Sequence, residues 1–205
     1  MNLHHSPQRH YFLLYKPFGV LSQFTTEGNK KTLHEFGPFP SDVYPAGRLD
    51  FDSEGLLLLT NDGTVKHRLM DPKFQHERVY LVQVERIPDD EALTRMRSGI
   101  VIEGKKTMPA GVRMLDREPP LPPRPVPIRS RKTVPTCWLE MTLREGRNRQ
   151  VRKMNAAVGH PVLRLVRVRI GRFSLEGLQP GKSRRLSERE VKQLREDLDL
   201  KDDYS

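Results

Sequence analysis

Short apolar runs, each ended by a polar turn, form the main pattern along the chain. Residues 11–15 (YFLLY) stop at Lys16-Pro17, and Leu56–Thr60 stops at Asn61-Asp62-Gly63. We predict a buried strand from each run, with an Asn or Asp cap for a helical turn over 65–70 after the second. β-branched or apolar segments predict further strands at 78–86, 137–143 and 161–170.

Three helices are predicted between and after these strands. Residues 89–97 carry acids in the first turn and bases in the last, which suits the helix dipole. Residues 149–158 place Val151, Met154 and Val158 on one face. Ser187 and Glu190 form a capping box for a helix that ends at Leu198. Because strands and helices mix without regular βαβ alternation, we predict an α+β fold around a mixed, largely antiparallel sheet.

Residues 114–135 interrupt this pattern. Six prolines between Pro119 and Pro127 can neither pair in a sheet nor continue a helix, so the segment is predicted to be a loop. Such a long loop is unusual in a compact domain. The segment is either a ligand-binding loop or a passive linker, and the sequence supports both interpretations. Its basic residues are Arg124, Arg129, Arg131 and Lys132.

Charge narrows the class of partner. The 205 residues include 36 Lys and Arg against 26 Asp and Glu, a net charge of +10, and nine basic residues but one acidic residue lie between Arg144 and Arg172. A localised basic surface favours a polyanion such as nucleic acid, although a merely soluble surface could have the same charge.

Other partners and compartments are disfavoured. Cys137 is the single cysteine, which excludes an internal disulfide and a cysteine-rich zinc site. No run approaches the ~20 apolar residues of a membrane span, and the start lacks a signal peptide. We therefore expect a cytoplasmic protein with no membrane partner. His4 and His5 lie in a polar terminus that we expect to be disordered, so no metal site is predicted.

Three carboxylates precede the run of leucines. Asp50 lies between Leu49 and Phe51 and two residues after Arg48, so we expect a partly buried carboxylate that a guanidinium keeps ionised. Such a group suits nucleophilic or general-base chemistry, although a structural ion pair is the simpler alternative. A glycosidase would pair Asp50 with a second carboxylate, Asp52 or Glu54, but the basic surface argues for a nucleotide substrate.

Two further segments could meet this carboxylate. Tyr80 shares a strand face with Val82 and Val84 and is either a core tyrosine or a stacking platform for a base. The segment EGRNRQVRKM, 145–154, combines a glycine turn with a helix start whose arginines could bind phosphate.

The segment GRLDFDSEGLLLLTNDG, 47–63, resembles the catalytic motif of pseudouridine synthases in the branch typified by ribosomal small subunit pseudouridine synthase A. The similarity extends from about Tyr11 to Leu186 and includes the strand at 78–84 and the helix at 146–154. Within the branch, Phe12 to Lys31, the proline-rich loop and EGRNRQVRKM are most similar to the subgroup of large subunit ribosomal RNA pseudouridine synthase E.

The resemblance implies roles for particular residues. Asp50 corresponds to the essential aspartate, which either attacks ribose C1′ or removes the C2′ proton. Tyr80 corresponds to the tyrosine that stacks on the base, and Arg152 to the cation that pairs with the aspartate. Leu165 corresponds to the apolar residue under the base, and Arg48 to the arginine of the motif. The neighbouring arginines Arg147 and Arg149 would bind RNA.

The resemblance also implies the pseudouridine synthase fold, in which helices and loops flank the sheet around a central cleft. This domain would cover residues 10–198, between a disordered N-terminal tail (1–9) and a polar C-terminal tail (199–205). The substrate would be a uridine of 23S ribosomal RNA, free or in an assembly intermediate, and the enzyme would be a monomer without cofactor or metal. Few residues precede Tyr11, so we expect no RNA-binding module like that of ribosomal protein S4. Arg78 stands where the family usually has lysine. A non-catalytic RNA-binding or ribosome-assembly protein on this fold is the alternative.

Overall fold

The computed structural model describes residues 8–128 and 133–200. His4, His5, Arg129, Arg131, Lys132 and the end of the C-terminal tail lie outside these ranges. The strands are β1 Tyr11–Lys16, β2 Tyr44–Pro45, β3 Glu54–Thr60, β4 Arg78–Glu85, β5 Val101–Ile102, β6 Lys105–Lys106, β7 Gly111–Met114, β8 Thr136–Leu143, β9 Val162–Ile170, β10 Phe173–Ser174 and β11 Ser183–Arg185. The α-helices are α1 Gly63–Met70, α2 Asp90–Ser98, α3 Gln150–Ala157 and α4 Glu188–Asp197, and single 3₁₀ turns lie at Leu33–Phe36 and Pro72–Phe74.

The main sheet has the strand order β11-β1-β3-β9-β4-β8-β7, with β2 added to β3 and β10 added to β9. Within the described ranges its pairings are antiparallel except for the short parallel contact between β3 and β9. The predicted α+β fold with a mixed, largely antiparallel sheet is confirmed. None of the helices in these ranges combines the length and apolarity that a membrane-spanning helix needs.

Gly55 makes the parallel contact possible. It pairs with Arg167 and has a φ of +119°, a conformation that side chains other than glycine rarely adopt. A Cβ atom at Gly55 would lie 2.3 Å from the carbonyl oxygen of Arg167, so the two backbones touch where a side chain would stand. The close approach joins the strand that follows Asp50 to the strand that carries Leu165.

Strand β3 is buried on both faces of the sheet, which explains its uninterrupted run of leucines. Leu57 and Leu59 belong to a core that includes residues of α2 and α3, whereas Leu56 and Leu58 belong to a second core that includes residues of α1 and α4. Both faces therefore require apolar side chains, and the alternation typical of a half-exposed strand is absent from β3.

Asp62 ties α4 to the sheet. Its carboxylate caps α1 by accepting hydrogen bonds from the backbone of Thr64 and Val65, and it also accepts from the Tyr11 hydroxyl at 2.7 Å and from Arg195 Nη1 at 3.0 Å. Arg195 is 3% exposed, so this ion pair is buried. The predicted cap at the start of α1 is confirmed, and so is the capping box of α4.

The described part of the proline-rich loop contains no regular element between β7 and β8, as predicted. The loop packs against the end of β1, because the Arg124 guanidinium lies 4.1 Å from the Phe18 ring centre. The other donors of Arg124 bind carbonyl groups of the loop itself, those of Val126 and Pro127.

Candidate active site

A cavity of about 800 Å³ opens where the loop before β3 meets β4, β9 and the start of α3. Its wall contains apolar and aromatic side chains next to several cations and one carboxylate of the acidic motif. Arg152 is the one predicted site residue outside this lining. The predicted residues that line the cavity are Arg48, Asp50, Tyr80, Arg147, Arg149 and Leu165.

The Asp50 carboxylate lies at the edge of the cavity with 32% of its side chain exposed. Its loop is fixed on both sides, because the backbone N–H of Ser53 donates to the Asp50 carbonyl at 3.0 Å and the preceding Leu49 exchanges two hydrogen bonds with Ser22. Arg149 Nη1 lies 3.4 Å from Asp50 Oδ2. Asp50 is therefore an accessible carboxylate beside a guanidinium, as the sequence predicted, although the partner differs.

We expected Arg48 to be that partner, and this prediction is wrong. Arg48 is exposed, and its Nη2 donates to Gln23 Oε1 at 3.4 Å instead of contacting Asp50. Side chains two residues apart in an extended segment can share a side without touching, and here the Arg48 side chain contacts Gln23.

The correct partner depends on an unusual backbone conformation. Arg149 is the N-cap residue of α3 and has a φ of +51°, which is uncommon for an arginine. From there its guanidinium donates two hydrogen bonds to the Asp52 carboxylate, at 3.0 and 2.9 Å, while it contacts Asp50. One cation therefore joins both aspartates.

Arg152 was expected to pair with Asp50, and the structure corrects the partner to Asp52. Its Nη2 donates to the Asp52 carbonyl at 2.8 Å and lies 3.4 Å from Oδ2 of the same residue. Burial opposes ionisation of Asp52, but the hydrogen bond from Arg149 and the charges of Arg152 and Arg149 hold its pKa below the ordinary value. Arg152 is more buried than Arg149, with 14% of its side chain exposed against 40%.

Tyr80 and Leu165 form the apolar side of the cavity. Val82 pairs with Leu165 and Tyr80 pairs with Arg167 across β4 and β9, which places the Tyr80 and Leu165 side chains on one sheet face. They are 9% and 5% exposed. Tyr80 is therefore both a member of the core and part of the cavity wall, so the two interpretations of this tyrosine are compatible.

Two buried arginines on the cavity wall make hydrogen bonds that the sequence did not predict. Arg78 donates to the Leu69 carbonyl at 2.8 Å, and Arg167 donates from Nε to the Leu56 carbonyl at 2.9 Å. Each is 4% exposed. The alternation of β9, in which Leu165 and Arg167 share a face, is the sequence signal that could have placed Arg167 beside the site.

Comparisons with known proteins show the family. The family described as RNA pseudouridylate synthase matches residues 10–157. The chain belongs to this family. It is 57% identical over 170 residues to a protein of Xanthomonas axonopodis pv. citri named ribosomal large subunit pseudouridine synthase E, with 82% of this chain and 89% of that protein covered.

More distant relatives carry related names. A Bacillus subtilis protein named ribosomal large subunit pseudouridine synthase B is 41% identical over 186 residues, which covers 90% of this chain and 71% of that protein. A solved structure described as a pseudouridylate synthase superposes with a TM-score of 0.76 at 31% identity and covers 93% of this chain and 75% of that one. The predicted pseudouridine synthase fold and the resemblance to the E subgroup are confirmed.

In this pseudouridine synthase the third carboxylate of the motif is structural. Glu54 is 3% exposed, and both of its oxygens accept hydrogen bonds from Arg164, at 2.8 and 2.9 Å. The same guanidinium donates to the Pro122 carbonyl of the proline-rich loop at 2.8 Å. A glycosidase would need a second available carboxylate, but Glu54 is occupied by Arg164 and Asp52 by two arginines.

Two other basic residues stabilise the structure around the site. Arg147 donates to the carbonyls of Ile102 and Lys105, at 2.9 and 3.0 Å, and so fastens the loop before α3 to the β5–β6 hairpin. Lys16 is fully buried, and its Nζ donates to the carbonyls of Pro17 and Val20, at 2.9 and 2.8 Å. Burial lowers the pKa of Lys16 to about 7, against the charges of the three motif carboxylates.

Proposed function

We propose that this chain converts one uridine of 23S ribosomal RNA to pseudouridine and that Asp50 performs the chemistry. The observation that carries the proposal is the position of Asp50 in an electropositive cavity that Tyr80 and Leu165 also line. The names of the relatives, which refer to the large ribosomal subunit, support this choice of substrate. The basic character of the chain supports an RNA partner.

The reaction rearranges one nucleoside. Because a base inside a helix is unreachable, the uridine must be turned out into the cavity. The C1′–N1 bond then breaks, the uracil turns, and C5 bonds to C1′ while C5 loses a proton and N1 gains one. Asp50 either attacks C1′ and is later displaced, or removes and returns the C2′ proton. No atom is gained or lost overall, so we expect no cofactor or metal.

The other residues have supporting roles in this proposal. Tyr80 would stack on the uracil and Leu165 would lie under it, because both belong to the apolar wall. Arg149 would orient the Asp50 carboxylate, and Arg152 would fix the neighbouring Asp52. Arg48, which is exposed at the lip, is available to the RNA backbone.

Recognition in this proposal depends on the catalytic domain, residues 10–198. The enzyme would act as a monomer on ribosomal RNA or on an assembly intermediate. Gel filtration with light scattering would test the monomer, and a comparison of naked 23S RNA with large-subunit precursors would identify the better substrate.

The decisive experiment compares two neighbouring aspartates. Asp50→Asn should abolish isomerisation while RNA affinity and the unfolding midpoint stay near those of the wild type. Asp52→Asn is the matched control, since Asp52 is paired by Arg149 and Arg152 outside the cavity lining, and it should retain measurable activity. Pseudouridine is measured as alkali-resistant carbodiimide adducts in 23S RNA.

Each alternative predicts a different result. Full activity of Asp50→Asn would refute the role of Asp50. Binding of 23S RNA by the wild-type protein without new adducts would favour a non-catalytic RNA-binding protein. Release of free uracil would indicate a glycosidase, which breaks the C1′–N1 bond without forming the new carbon–carbon bond.

A further inference from the structure

A second hollow lies beside the active-site cavity along α1. This hollow has a volume of about 510 Å³ and is lined by α1 and the residue after it. Lys66 and Met70 line both the cavity and the hollow, so the two spaces share a wall. The remaining lining residues of the hollow are Gly63, His67 and Asp71.

Tyr44 lies at the rim of the cavity near Lys66. It belongs to the two-residue strand β2 and is 55% exposed, so its ring is accessible to a ligand. Lys66 Nζ lies 5.9 Å from the Tyr44 ring centre, within cation–π range. An exposed ring beside a cation is the combination that binds single-stranded nucleic acid, because the ring stacks on a base and the cation contacts the phosphate.

Charge along this surface favours a polyanion. Lys66 lines the hollow, while the nearby basic residues Arg68 and Lys73 lie outside its lining, 4.6 and 4.8 Å from the Phe74 ring centre. Asp71 is the acidic residue of the hollow, but its carboxylate is 3.1 Å from Lys73 Nζ and also accepts the Lys73 backbone N–H. Asp71 and Lys73 therefore largely offset each other, which leaves Lys66 as the net positive charge of the hollow.

We infer that the RNA strand flanking the target uridine leaves the cavity over Tyr44 and follows α1, with one flanking base stacked on Tyr44 and the adjacent phosphate at Lys66. This inference rests on the proposed function, because the everted uridine fixes where the strand begins. The surface then selects RNA in which the target has an unpaired neighbour on one side. Tyr44 is a substrate-positioning residue that does not touch the reacting atoms.

The test compares Tyr44→Ala, Tyr44→Phe and a control, Ile87→Ala, whose side chain is equally exposed (57%) but lies outside both cavities. Each protein is assayed on a 23S fragment and on two versions trimmed by a few nucleotides on the 5′ or the 3′ side of the target. Dissociation constants come from fluorescence anisotropy, and single-turnover rates at saturating RNA report the chemical step. Lys66→Gln is added for the dependence of affinity on salt.

On the full fragment, Tyr44→Ala should weaken binding at least about fivefold, as the loss of one stacked base requires, with the saturating rate unchanged. Tyr44→Phe and Ile87→Ala should bind like the wild type. On the fragment trimmed on one side, Tyr44→Ala and the wild type should have equal dissociation constants. On the fragment trimmed on the other side, the difference should remain. Lys66→Gln should reduce the slope of log affinity against log salt by about 0.7.

Three results would overturn the inference. The first is equal binding of Tyr44→Ala and the wild type to the full fragment. The second is a binding deficit of Tyr44→Ala that remains both when the 5′ side and when the 3′ side is trimmed. The third is an equal binding deficit in Tyr44→Phe. A wild-type protein that binds the fragment without modifying it would refute the proposed function instead, and the binding ratios would still decide the role of Tyr44.

Discussion

The buried lysine of β1 should make the stability of the folded protein rise with pH. Lys16 is fully buried beneath the acidic motif, and burial lowers its pKa from 10.5 to about 7. In the unfolded chain the same amine keeps its proton up to about pH 10. Between these values the unfolded state binds more protons than the folded state, so raising the pH favours folding.

The magnitude follows from the two pKa values. At pH 7 the folded amine is half protonated, and by pH 9.5 it is neutral while the unfolded amine is still mostly charged. The difference in bound protons, integrated over this interval, is ~2.2 pH units, which at ~1.4 kcal/mol per unit gives about 3 kcal/mol of added stability. The interval ends at pH 9.5 because burial also raises the pKa of Tyr15 to about 12, which reverses the sign of linkage above pH 10.

The assay is urea unfolding of the wild-type protein and of Lys16→Met at pH 7.0, 8.25 and 9.5. Met has a similar length and no titrating group, and all other groups cancel in the difference between the two proteins. Between pH 7.0 and 9.5 the free energy of unfolding of the wild type should rise by about 3 kcal/mol relative to that of the variant. Parallel profiles for the two proteins would show that the lysine titrates at an ordinary pKa and would refute the reasoning.

Three substitutions test the buried contacts. Arg195→Met removes the cation from the carboxylate that caps α1, and urea unfolding should show a loss of about 3 kcal/mol; a loss below about 1 kcal/mol would contradict a buried pair. Glu54→Gln leaves the Arg164 guanidinium without its counter-charge and should cost about 3–5 kcal/mol, which an unchanged melting temperature would disprove. Gly55→Ala places a Cβ against the neighbouring backbone and should destabilise by more than about 3 kcal/mol, whereas Gly63→Ala, with open space around it, should be near neutral.

Much of the fold followed from local signals in the sequence. The capping box predicted α4, and the uniform apolar run predicted a fully buried β3. The short strands β6 and β11 were missed because Lys105–Lys106 and Ser183–Arg185 have no apolar pattern and are held as strands by their partners. The parallel contact of β3 with β9 was also hidden, since it joins residues more than a hundred positions apart.

The sequence could supply the candidate site residues but not the contacts between them. The acidic motif, the strand tyrosine and the arginine-rich helix could each be found in the sequence, and most of those residues line one cavity. The left-handed backbone of Arg149, which decides that this residue contacts Asp50, has no local signal. The pairing of Arg164 with Glu54 also has no local signal, because it depends on the long-range contact between β3 and β9.

The arginine that joins two aspartates also sets what an approaching polyanion meets. Asp50 and Asp52 carry two negative charges, and Arg149 and Arg152 supply two positive charges at contact distance. The four groups together form a neutral quartet, so the carboxylates add little repulsion toward phosphates. The electrostatic potential at a distance from the site is then set by the other cations around the cavity. A surface with an acidic loop at its centre can therefore still attract RNA.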